Sequence, residues 1–252
     1  YGIYNNTIQK YGMDSIKPHQ FLSNKKLNTD LSMATNKDNP ILRGILEKAR
    51  QSVRYEEFER IKSKWLNYDA HKTKLFNERV LSTKQLQYLH KKGSVEVCID
   101  PAWMPFESLK DKKHIGMSAD FFEHFQKYLN VPLEVVPTKS WSQSLDFAKQ
   151  RKCDLFSLAM STPDRREYMN FTKPYLSIPL VLATRKNVTF VDNFDKLSGK
   201  KLAIVKGYAF AEILQNKYPN LQLHEVKTTK AVFVRYVFIL QEFFVLINYS
   251  IL

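Results

Sequence analysis

Short apolar runs alternate with longer amphipathic stretches along the middle of the chain. The apolar runs predict strands at 94–100, 133–137 and 153–160. Between them, apolar residues recur every three or four positions, which predicts a helix at 118–129, capped by Ser118, and a second at 140–152. The same alternation continues through 180–186, 201–207, 208–218 and 221–226. This β-α-β-α-β order predicts a parallel sheet with helices on its faces.

Helices are predicted over most of residues 39–66. Asn39 is placed to cap a helix whose first residue is Pro40, and a second helix is predicted over 55–65. Residues 67–80 are polar and lack apolar periodicity, so they are predicted to be a linker. After the linker, Ser82 and Gln85 have the spacing of a capping box, and Gly93 is placed to end that helix.

Two stretches of the chain share a short sequence pattern. LSMATNKDN (31–39) and LVLATRKN (180–187) both contain Leu, two residues, Ala-Thr, one residue, Lys and then Asp or Asn. Each is predicted to be a strand, and the shared pattern suggests that both strands pass between two structural halves.

The last stretch, 231–252, departs from this alternation. It is strongly apolar and contains no glycine, although Arg235 and Glu242 interrupt it. Three interpretations are open: a transmembrane helix that barely reaches the ~20 residues required, a buried helix, or an out-of-frame or truncated end. The last is favoured, because the pattern stops abruptly.

Charge and cysteine content narrow the function classes. The 252 residues contain 39 Lys and Arg against 25 Asp and Glu, a formal charge of +14. The basic residues occur in short groups at predicted helix ends and turns, which favours a solvated basic surface over a nucleic-acid interface. Cys98 and Cys153 show no metal-binding spacing, and an offset of about four residues in adjacent strands predicts two free, buried thiols.

No enzyme motif appears in the sequence. The six histidines (19, 71, 90, 114, 124 and 224) form no metal-binding spacing, and the chain contains neither a phosphate loop nor a nucleophile elbow. The chain is therefore predicted to have no catalytic activity, no bound metal and no cofactor.

The segment LAMSTPDRREYMNFTKPYL (158–176) places hydroxyl groups, a proline and two arginines where a buried strand ends. Ligands of open α/β sheets bind outside the carboxyl ends of the strands. A guanidinium there can hold a carboxylate through two parallel hydrogen bonds. Ser161, Thr162 and Arg165 are therefore candidate anion-binding residues. The alternative for Arg165 is a surface salt bridge with Asp164 or Glu167, and Arg166 is predicted to be solvated.

These residues are similar to the bacterial extracellular solute-binding proteins of family 3, the amino-acid-binding type. TPDRREYMNFTKPYLSIPLVLATRKN resembles that family's Thr-Pro-Glu-Arg motif and the segment after it. IDPAWMPFE and LSGKKLAIVKGYAFAEIL resemble its first strand and the entry into its second lobe. SWSQSL and LSTKQLQYLHKKG look more like the tandem Venus flytrap regions of bacterial histidine kinases, and NPILRGILEKARQSVRYEEFERIKSKWL looks like the closing helices of a preceding domain.

The resemblance implies roles for individual residues. Arg165 corresponds to the arginine that holds the ligand's α-carboxylate. Trp103 corresponds to an aromatic residue over the ligand's side chain, with a core position as the alternative. Asp100 corresponds to a carboxylate used by binders of basic amino acids, although a cap of the strand-end turn is the favoured interpretation. Trp141 either lines the cleft or packs its helix. Gly207 and Tyr208 open a helix of the second lobe whose N–H groups could contact the ligand.

The fold implied is α/β: a two-lobed, periplasmic-binding-protein-like (Venus flytrap) domain with a parallel sheet and an incomplete second lobe. The C-terminal part of a similar domain precedes it. The expected organisation is the end of a first domain over 1–66, a linker and capping-box helix over 67–93, a second domain over 94–230 with lobes at about 94–183 and 187–230, and the apolar tail 231–252.

The expected function is binding and sensing of a small solute, an amino acid or another carboxylate, by a membrane signalling protein, with a histidine kinase as the favoured type. A kinase or cyclase domain is expected downstream. The main alternative is the substrate-binding protein of an amino-acid ABC transporter, and a cell-wall lyase with a similar N-terminal domain is a third. The chain is expected on the periplasmic or extracytoplasmic side of a bacterial inner membrane, attached through segments outside 1–252. No nucleic-acid partner is expected, and a homodimer is compatible with a sensor.

Overall fold

The structure is a computed structural model that describes residues 16–21, 28–66, 81–185, 194–228, 231 and 243–247. The chain divides into two compact units. The larger unit contains residues 31–176, and the smaller unit contains 1–30 together with 177–252.

A five-stranded sheet forms the centre of the larger unit. Its strands are β2 (Asn28–Asn36), β3 (Val95–Cys98), β7 (Leu133–Val135), β8 (Leu155–Ala159) and β9 (Met169–Phe171). β8, β3 and β7 run parallel to one another, with β3 in the middle. β2 lies antiparallel between β8 and β9. The predicted parallel sheet is confirmed, and an antiparallel pair extends it on one side.

The described residues of this unit contain six helices: α1 (Pro40–Ser52), α2 (Tyr55–Leu66), α3 (Thr83–Lys92), α4 (Met117–Leu129), α5 (Trp141–Lys149) and the single turn α6 (Pro163–Arg166). A small antiparallel sheet of β4 (Ala102–Trp103), β5 (Glu107–Lys110) and β6 (Lys113–Ile115) lies between β3 and α4 along the chain. No helix among the described residues is long and apolar enough to cross a membrane.

Two of the predicted caps are present. Asn39 accepts a hydrogen bond from the Leu42 N–H at the start of α1. Ser82 and Gln85 make both hydrogen bonds of a capping box, and Gly93 closes α3 with a φ of 79°. A left-handed conformation of this kind is adopted readily by glycine alone. Local sequence signals therefore place these helix ends correctly.

The smaller unit contains a second sheet. Its strands are β10 (Leu176–Arg185), β11 (Lys201–Val205), β12 (Gln222–Val226) and β13 (Phe243–Ile247), in the order β12-β11-β13-β10, and β1 (Ile16–Phe21) pairs with β10. β11 is parallel to both β12 and β13. A 3₁₀ turn (Phe194–Leu197) precedes β11, and α7 (Ala209–Lys217) connects it to β12.

The division between the units falls inside two strands. One boundary lies between Asp30 and Leu31 in β2, and the other lies between Leu176 and Ser177 in β10. These strands contain the two stretches that share the Leu-x-x-Ala-Thr pattern. The shared stretches themselves lie on either side of the division, 31–39 in the larger unit and 180–185 in the smaller one, so the prediction that both pass between structural halves stays a prediction.

The structure corrects the predicted domain boundaries. Residues 31–66 belong to the same compact unit as 81–176, so the prediction that 1–66 form a separate unit is wrong for this part. The reason is packing, since Ile45 is fully buried. The compact unit ends at Leu176, and the lobe boundary at about 183 stays a prediction. The origin of 1–66 in a preceding domain stays a prediction, and the linker 67–80 lies outside the described residues.

The structure also bears on the predictions for the apolar tail 231–252. Residues 243–247 form strand β13, so neither helical interpretation of the tail holds there. The prediction of an out-of-frame or truncated end is untested.

The prediction of free thiols is wrong, because Cys98 and Cys153 form a disulfide with their Cα atoms 5.7 Å apart. The offset argument assumed that Cys153 continues its strand, whereas β8 begins at Leu155 and Cys153 lies in the turn before it.

Candidate functional site

The candidate anion-binding residues lie where β8 ends and α6 begins. Thr162 is the cap of α6, and its hydroxyl accepts a hydrogen bond from the Arg165 N–H at 3.3 Å. Pro163 fits the first helical position, where no N–H is needed. Thr162 and Arg165 are both buried, with exposed fractions of 1% and 6%. The sequence therefore predicted their position at the carboxyl end of the strand correctly.

The Arg165 guanidinium is held on two sides. Its Nη1 donates a hydrogen bond to the Met160 carbonyl at 3.0 Å. Its central carbon lies 5.5 Å from the centre of the Trp141 ring, within the range of a cation–π contact. Burial argues against the alternative of an exposed salt bridge. The structure thus brings together Arg165 and Trp141, two residues that are 24 positions apart in the sequence.

Trp141 packs its helix, which is one of the two alternatives for this residue, and the other alternative, lining the cleft, stays a prediction. It is the first residue of α5, which Ser140 caps by accepting a hydrogen bond from the Gln143 N–H at 3.3 Å. Its ring is 4.9 Å from that of Phe156 on β8, so it packs its helix on the sheet. The same side chain contacts Arg165, which places it beside the candidate site.

Ser161 and Arg166 form a separate pair. The Ser161 hydroxyl accepts a hydrogen bond from the Nε of Arg166 at 2.7 Å. Arg166 is exposed, as predicted. The two neighbouring arginines therefore differ sharply in environment, although their formal charges are equal.

The loop after β3 contains Asp100 and Trp103. One carboxylate oxygen of Asp100 accepts a hydrogen bond from the Ala102 N–H at 2.9 Å, which is the predicted turn cap. The Trp103 ring is buried and lies 4.9 Å from Phe106, which agrees with the core alternative. Because β3 and β8 are adjacent and parallel, this loop and the β8–α6 turn leave the same edge of the sheet.

A buried carboxyl that the sequence did not single out lies behind this loop. Glu107 is fully buried and accepts hydrogen bonds from the Asp100 N–H at 2.7 Å and the Ser118 hydroxyl at 3.1 Å. The Ser157 hydroxyl of β8 donates a further short hydrogen bond to it. Glu107 therefore connects the loop after β3 with α4 and with the neighbouring strand.

Burial raises the pKa of Glu107 to about 8, and the nearby Asp100 charge acts in the same direction. The hydrogen bonds from Ser157, the Asp100 N–H and Ser118 lower the pKa and only partly offset this effect. His114, which contacts the Ser118 hydroxyl at 2.8 Å, is also buried, and burial lowers its pKa to about 4. Burial therefore favours the uncharged forms of both Glu107 and His114 near neutral pH.

One sequence signal could have revealed this cluster. Ser157 lies in the middle of LFSLA, an otherwise apolar strand that is buried throughout. A buried hydroxyl needs a hydrogen-bond partner, which predicts a polar group facing the strand. Ser118, predicted to cap α4, is instead its second residue, because Gly116 takes the cap position and leaves the serine facing Glu107.

Gly207 and Tyr208 belong to the smaller unit. Gly207 has a φ of 78° in the turn between β11 and α7, which explains a glycine at this position. Tyr208 occupies the N-cap position of α7, and its side chain makes no capping hydrogen bond there. Its ring lies 5.5 Å from Phe210. Both residues therefore lie at the start of a helix, as the sequence predicted.

No group of three or more His, Cys, Asp or Glu side chains suited to a metal ion occurs in the part of the chain that the structure describes. The described polar groups at the carboxyl edge are instead the buried Arg165 guanidinium, the exposed Arg166 guanidinium, several hydroxyls, and carboxyls that accept hydrogen bonds from backbone N–H groups. This set of groups suits an organic anion better than a metal ion.

Comparison with characterised proteins gives partial matches to three kinds of relative. The membrane-bound lytic murein transglycosylase F of Shewanella sp. (strain W3-18-1) is 33% identical over 115 residues, 44% of this chain and 24% of that protein. The virulence sensor protein BvgS of Bordetella pertussis is 21% identical over 149 residues, 59% of this chain and 12% of that protein. The probable histidine-binding protein of Campylobacter jejuni is 26% identical over 147 residues, 54% of this chain and 57% of that protein. This chain therefore spans less than two thirds of each relative.

A solved structure supports the fold. The periplasmic VFT2 domain of Bordetella pertussis BvgS superposes with a TM-score of 0.59 at 18% identity, covering 67% of this chain and 72% of that one. At this identity the likeness concerns the fold, which is the Venus flytrap fold of periplasmic binding proteins.

The family model gives the most direct assignment. The model for bacterial extracellular solute-binding proteins, family 3, matches residues 95–235, more than half of the chain. The match includes β3, β8 and the turn that holds Thr162 and Arg165. The chain therefore belongs to the bacterial extracellular solute-binding proteins of family 3.

Proposed function

We propose that this chain binds a small solute with a carboxylate group, such as an amino acid, and that Arg165 is the main anion-binding residue. Membership of the family makes the region an extracytoplasmic ligand-binding domain. The proposal adds the class of ligand and the residues that recognise it.

The observation that carries the proposal is the position of the Arg165 guanidinium. It is buried at the carboxyl end of a central parallel strand, where ligands of open α/β sheets bind. The Met160 carbonyl and the Trp141 ring hold it in one orientation. A guanidinium oriented in advance loses less conformational freedom when it binds a carboxylate.

The neighbouring candidates have supporting roles in this proposal. Thr162 fixes the turn that contains Arg165, and Trp141 offers an aromatic face beside the guanidinium. Asp100 and Trp103 leave the same edge of the sheet on the adjacent loop and would contact the rest of the solute. Ser161 would act through its hydroxyl. The roles of Gly207 and Tyr208 stay predictions from the family resemblance.

The proposed context is the sensing region of a membrane signalling protein, with a histidine kinase as the favoured type. The BvgS match supports this context, because it extends over more of this chain than the other two matches. The histidine-binding protein of Campylobacter jejuni supports the alternative of a transport-associated binding protein. The proposed location is the periplasmic side of a bacterial inner membrane. Membrane attachment through other segments and homodimer formation belong to the same proposal.

The disulfide between Cys98 and Cys153 supports an extracytoplasmic location independently of the family. Disulfides form and persist mainly in oxidising compartments such as the bacterial periplasm. The domain itself is proposed to be non-catalytic, and any kinase, cyclase or lyase activity would belong to other parts of a longer protein.

Calorimetry of two neighbouring variants tests the proposal. Arg165→Ala and Arg166→Ala remove equal charge, but only Arg165 is buried at the strand end. Loss of one partner from a desolvated charge pair costs ~2–5 kcal/mol, which corresponds to a loss of roughly 30- to 5,000-fold in affinity. Against a panel of amino acids and small organic acids, Arg165→Ala is expected to lose binding to this extent. Arg166→Ala is expected to stay within about threefold of the wild type.

Arg165→Lys separates geometry from charge, because it keeps the cation but cannot form two parallel hydrogen bonds. Thermal unfolding of each variant shows whether it is folded under the binding conditions. Equal losses in Arg165→Ala and Arg166→Ala would assign the effect to the general basic surface. Unchanged binding in folded Arg165→Ala would remove Arg165 from the site.

A further inference from the structure

The peptide unit that joins Ile99 to Asp100 is the first one beyond the pair of residues that ends β3, the middle strand of the parallel part of the sheet. Both residues are buried, with exposed fractions of 1% and 4%. A buried backbone C=O and a buried backbone N–H each need a hydrogen-bond partner. Inside a sheet the neighbouring strands supply such partners. At this peptide, side chains supply a partner on each side.

The carbonyl side of the peptide is held by a relay of two hydroxyls. The Ser144 hydroxyl of α5 donates a hydrogen bond to the Ile99 carbonyl at 2.7 Å. Because a hydroxyl has a single hydrogen, the Thr138 hydroxyl, which lies 2.7 Å from that of Ser144, must be the donor in the contact between them. Ser144 is fully buried, and Thr138 precedes α5 in the connection from β7. The relay therefore fixes the Ile99 carbonyl to the start of α5.

The N–H side of the peptide is held by the Glu107 carboxyl. The Asp100 N–H donates to its Oε1 at 2.7 Å. Its Oε2 accepts hydrogen bonds from the Ser118 hydroxyl of α4 at 3.1 Å and from the Ser157 hydroxyl of β8. The C=O and N–H of a trans peptide point in opposite directions. The two side-chain networks therefore grip one peptide unit from opposite sides.

A carboxyl is a costly acceptor to bury, and a hydroxyl or a backbone carbonyl would satisfy one N–H at a lower cost. What the carboxyl adds is a connection among three partners, since Glu107 ties the Asp100 N–H to a helix and to a strand. Buried polar networks whose members all have partners hold their part of a structure rigidly. The network around Glu107 therefore fixes one point of the backbone with unusual precision.

The fixed point is the start of the loop 100–106. One carboxylate oxygen of Asp100 accepts a hydrogen bond from the Ala102 N–H at 2.9 Å, and the Trp103 carbonyl accepts one from the Phe106 N–H at 2.9 Å. Each turn of the loop is thus held relative to the one before it. A displacement of the Ile99–Asp100 peptide would be passed on to the Asp100 and Trp103 side chains.

We propose that Ser144 and Glu107 are positioning residues of the solute site. By holding the Ile99–Asp100 peptide from opposite sides, they fix the loop that contains Asp100 and Trp103, and so determine which amino acid is preferred. Arg165 determines how strongly the carboxylate common to all of them is held. This inference rests on the proposed function, in which the loop contacts the part of the solute beyond its carboxylate. Binding sites lose selectivity when the elements that support them are loose by a fraction of an ångström.

A comparison of ligands tests the role of Ser144. Calorimetry and NMR titration give the affinity for the tightest-binding standard amino acid and for acetate, which retains only the carboxylate. In Ser144→Ala the ratio of these two affinities is expected to fall roughly five- to tenfold, the effect of about one hydrogen bond. Ser52→Ala is the matched control, because the buried Ser52 hydroxyl also donates to a backbone carbonyl at 2.7 Å, that of Ala49 in α1. Its ratio is expected to stay within about twofold of the wild type.

Two substitutions of Glu107 separate positioning from charge. Glu107→Gln retains an oxygen for the Asp100 N–H and offers N–H donors to the two serine hydroxyls. Glu107→Met has a similar length and no strong acceptor. At pH 6.5, Glu107→Gln is expected to keep the wild-type ratio within about twofold, and Glu107→Met to lose it as Ser144→Ala does. If both variants lose the ratio equally, the clamp on the Asp100 N–H is not what sets selectivity, and the role of Glu107 is overturned.

Hydrogen exchange of the free protein distinguishes a local effect from a general loss of stability. The amides of the loop 100–106 are expected to exchange at least about fivefold faster in Ser144→Ala, with a smaller change in α4 and β8. Equal acceleration throughout these elements would overturn the positioning role. This measurement also decides the role of Ser144 if Glu107→Met does not fold.

The outcomes separate this inference from the proposed function. Wild-type binding to an amino acid with an unchanged ratio in folded Ser144→Ala would overturn the inference alone. A wild type that binds neither acetate nor any amino acid would refute the proposed function, and the selectivity role would fall with it.

Discussion

The buried carboxyl of Glu107 predicts an unusual dependence of stability on pH. Its pKa is about 8 in the folded protein, against an ordinary value of 4.5 that applies to the unfolded chain. Between these values the folded state holds a proton that the unfolded state has released. Stability is therefore expected to fall as the pH rises through this window, which is opposite to the usual behaviour of an ion-paired carboxylate.

The size of the effect follows from the same pKa values. Between pH 6.5 and 8, the difference in proton binding at this one group integrates to a loss of about 1.7 kcal/mol in the free energy of unfolding. His114 acts in the opposite direction, because burial lowers its pKa from 6.5 to about 4. Its contribution rises with pH mainly below 6.5 and is nearly complete above that value. The window from 6.5 to 8 therefore isolates Glu107 from its closest titrating neighbour.

Denaturant unfolding at four pH values between 6.5 and 8 measures this dependence. Glu107→Gln keeps a neutral side chain of the same shape, so its stability is expected to change about 1.7 kcal/mol less than that of the wild type over this range. Glu134→Gln is the matched control, because Glu134 is exposed on β7. The control is expected to keep the wild-type dependence. A wild-type profile without a decline, or an equal decline in Glu107→Gln, would refute the reasoning.

Two other predictions concern stability. The disulfide closes a loop with a sequence separation of 55, so Cys98→Ala with Cys153→Ala is expected to lower the free energy of unfolding by about 4 kcal/mol. Reductant should lower the unfolding midpoint of the wild type and leave that of the double variant unchanged; an equal response of both would contradict the bond. Ser82→Ala removes the cap of α3 and is expected to cost about 1 kcal/mol in chemical unfolding. Exposed Lys91→Ala should change little, and equal costs would argue against the cap.

Structural features that depend only on residues close together in the sequence were predicted well. Asn39 and Ser82 each precede a predicted helix in the sequence and each accept the expected hydrogen bond in the structure. A cap depends on residues three positions away, so its partner is already present in the local sequence. The location of Arg165 followed in the same way, because both its strand and its turn were recognisable. These features did not require knowledge of the tertiary structure.

Features that depend on distant residues were missed. The pKa of Glu107 results from packing among β5, α4 and β8, and no local pattern shows that these elements converge. The disulfide depends on how the chain turns before β8, which an estimate from ideal strands cannot represent. The helices α1 and α2 were predicted correctly as elements. Their partner was not, because periodicity shows that a face is buried and not which surface buries it.

The protonation of Glu107 also bears on the proposed anion site. Ser157, which bonds Glu107, and Met160, which bonds Arg165, are three residues apart on one chain segment, a separation of roughly 10 Å. Two unit charges at this distance interact with about 1.7 kcal/mol at an effective dielectric constant of 20. At this distance an ionised Glu107 would repel a bound carboxylate by an amount that corresponds to roughly 15-fold in affinity. Because burial raises the pKa of Glu107 to about 8, the acid remains mostly neutral at pH 7. It can then organise the Asp100 loop through hydrogen bonds without opposing the anion that Arg165 is proposed to bind.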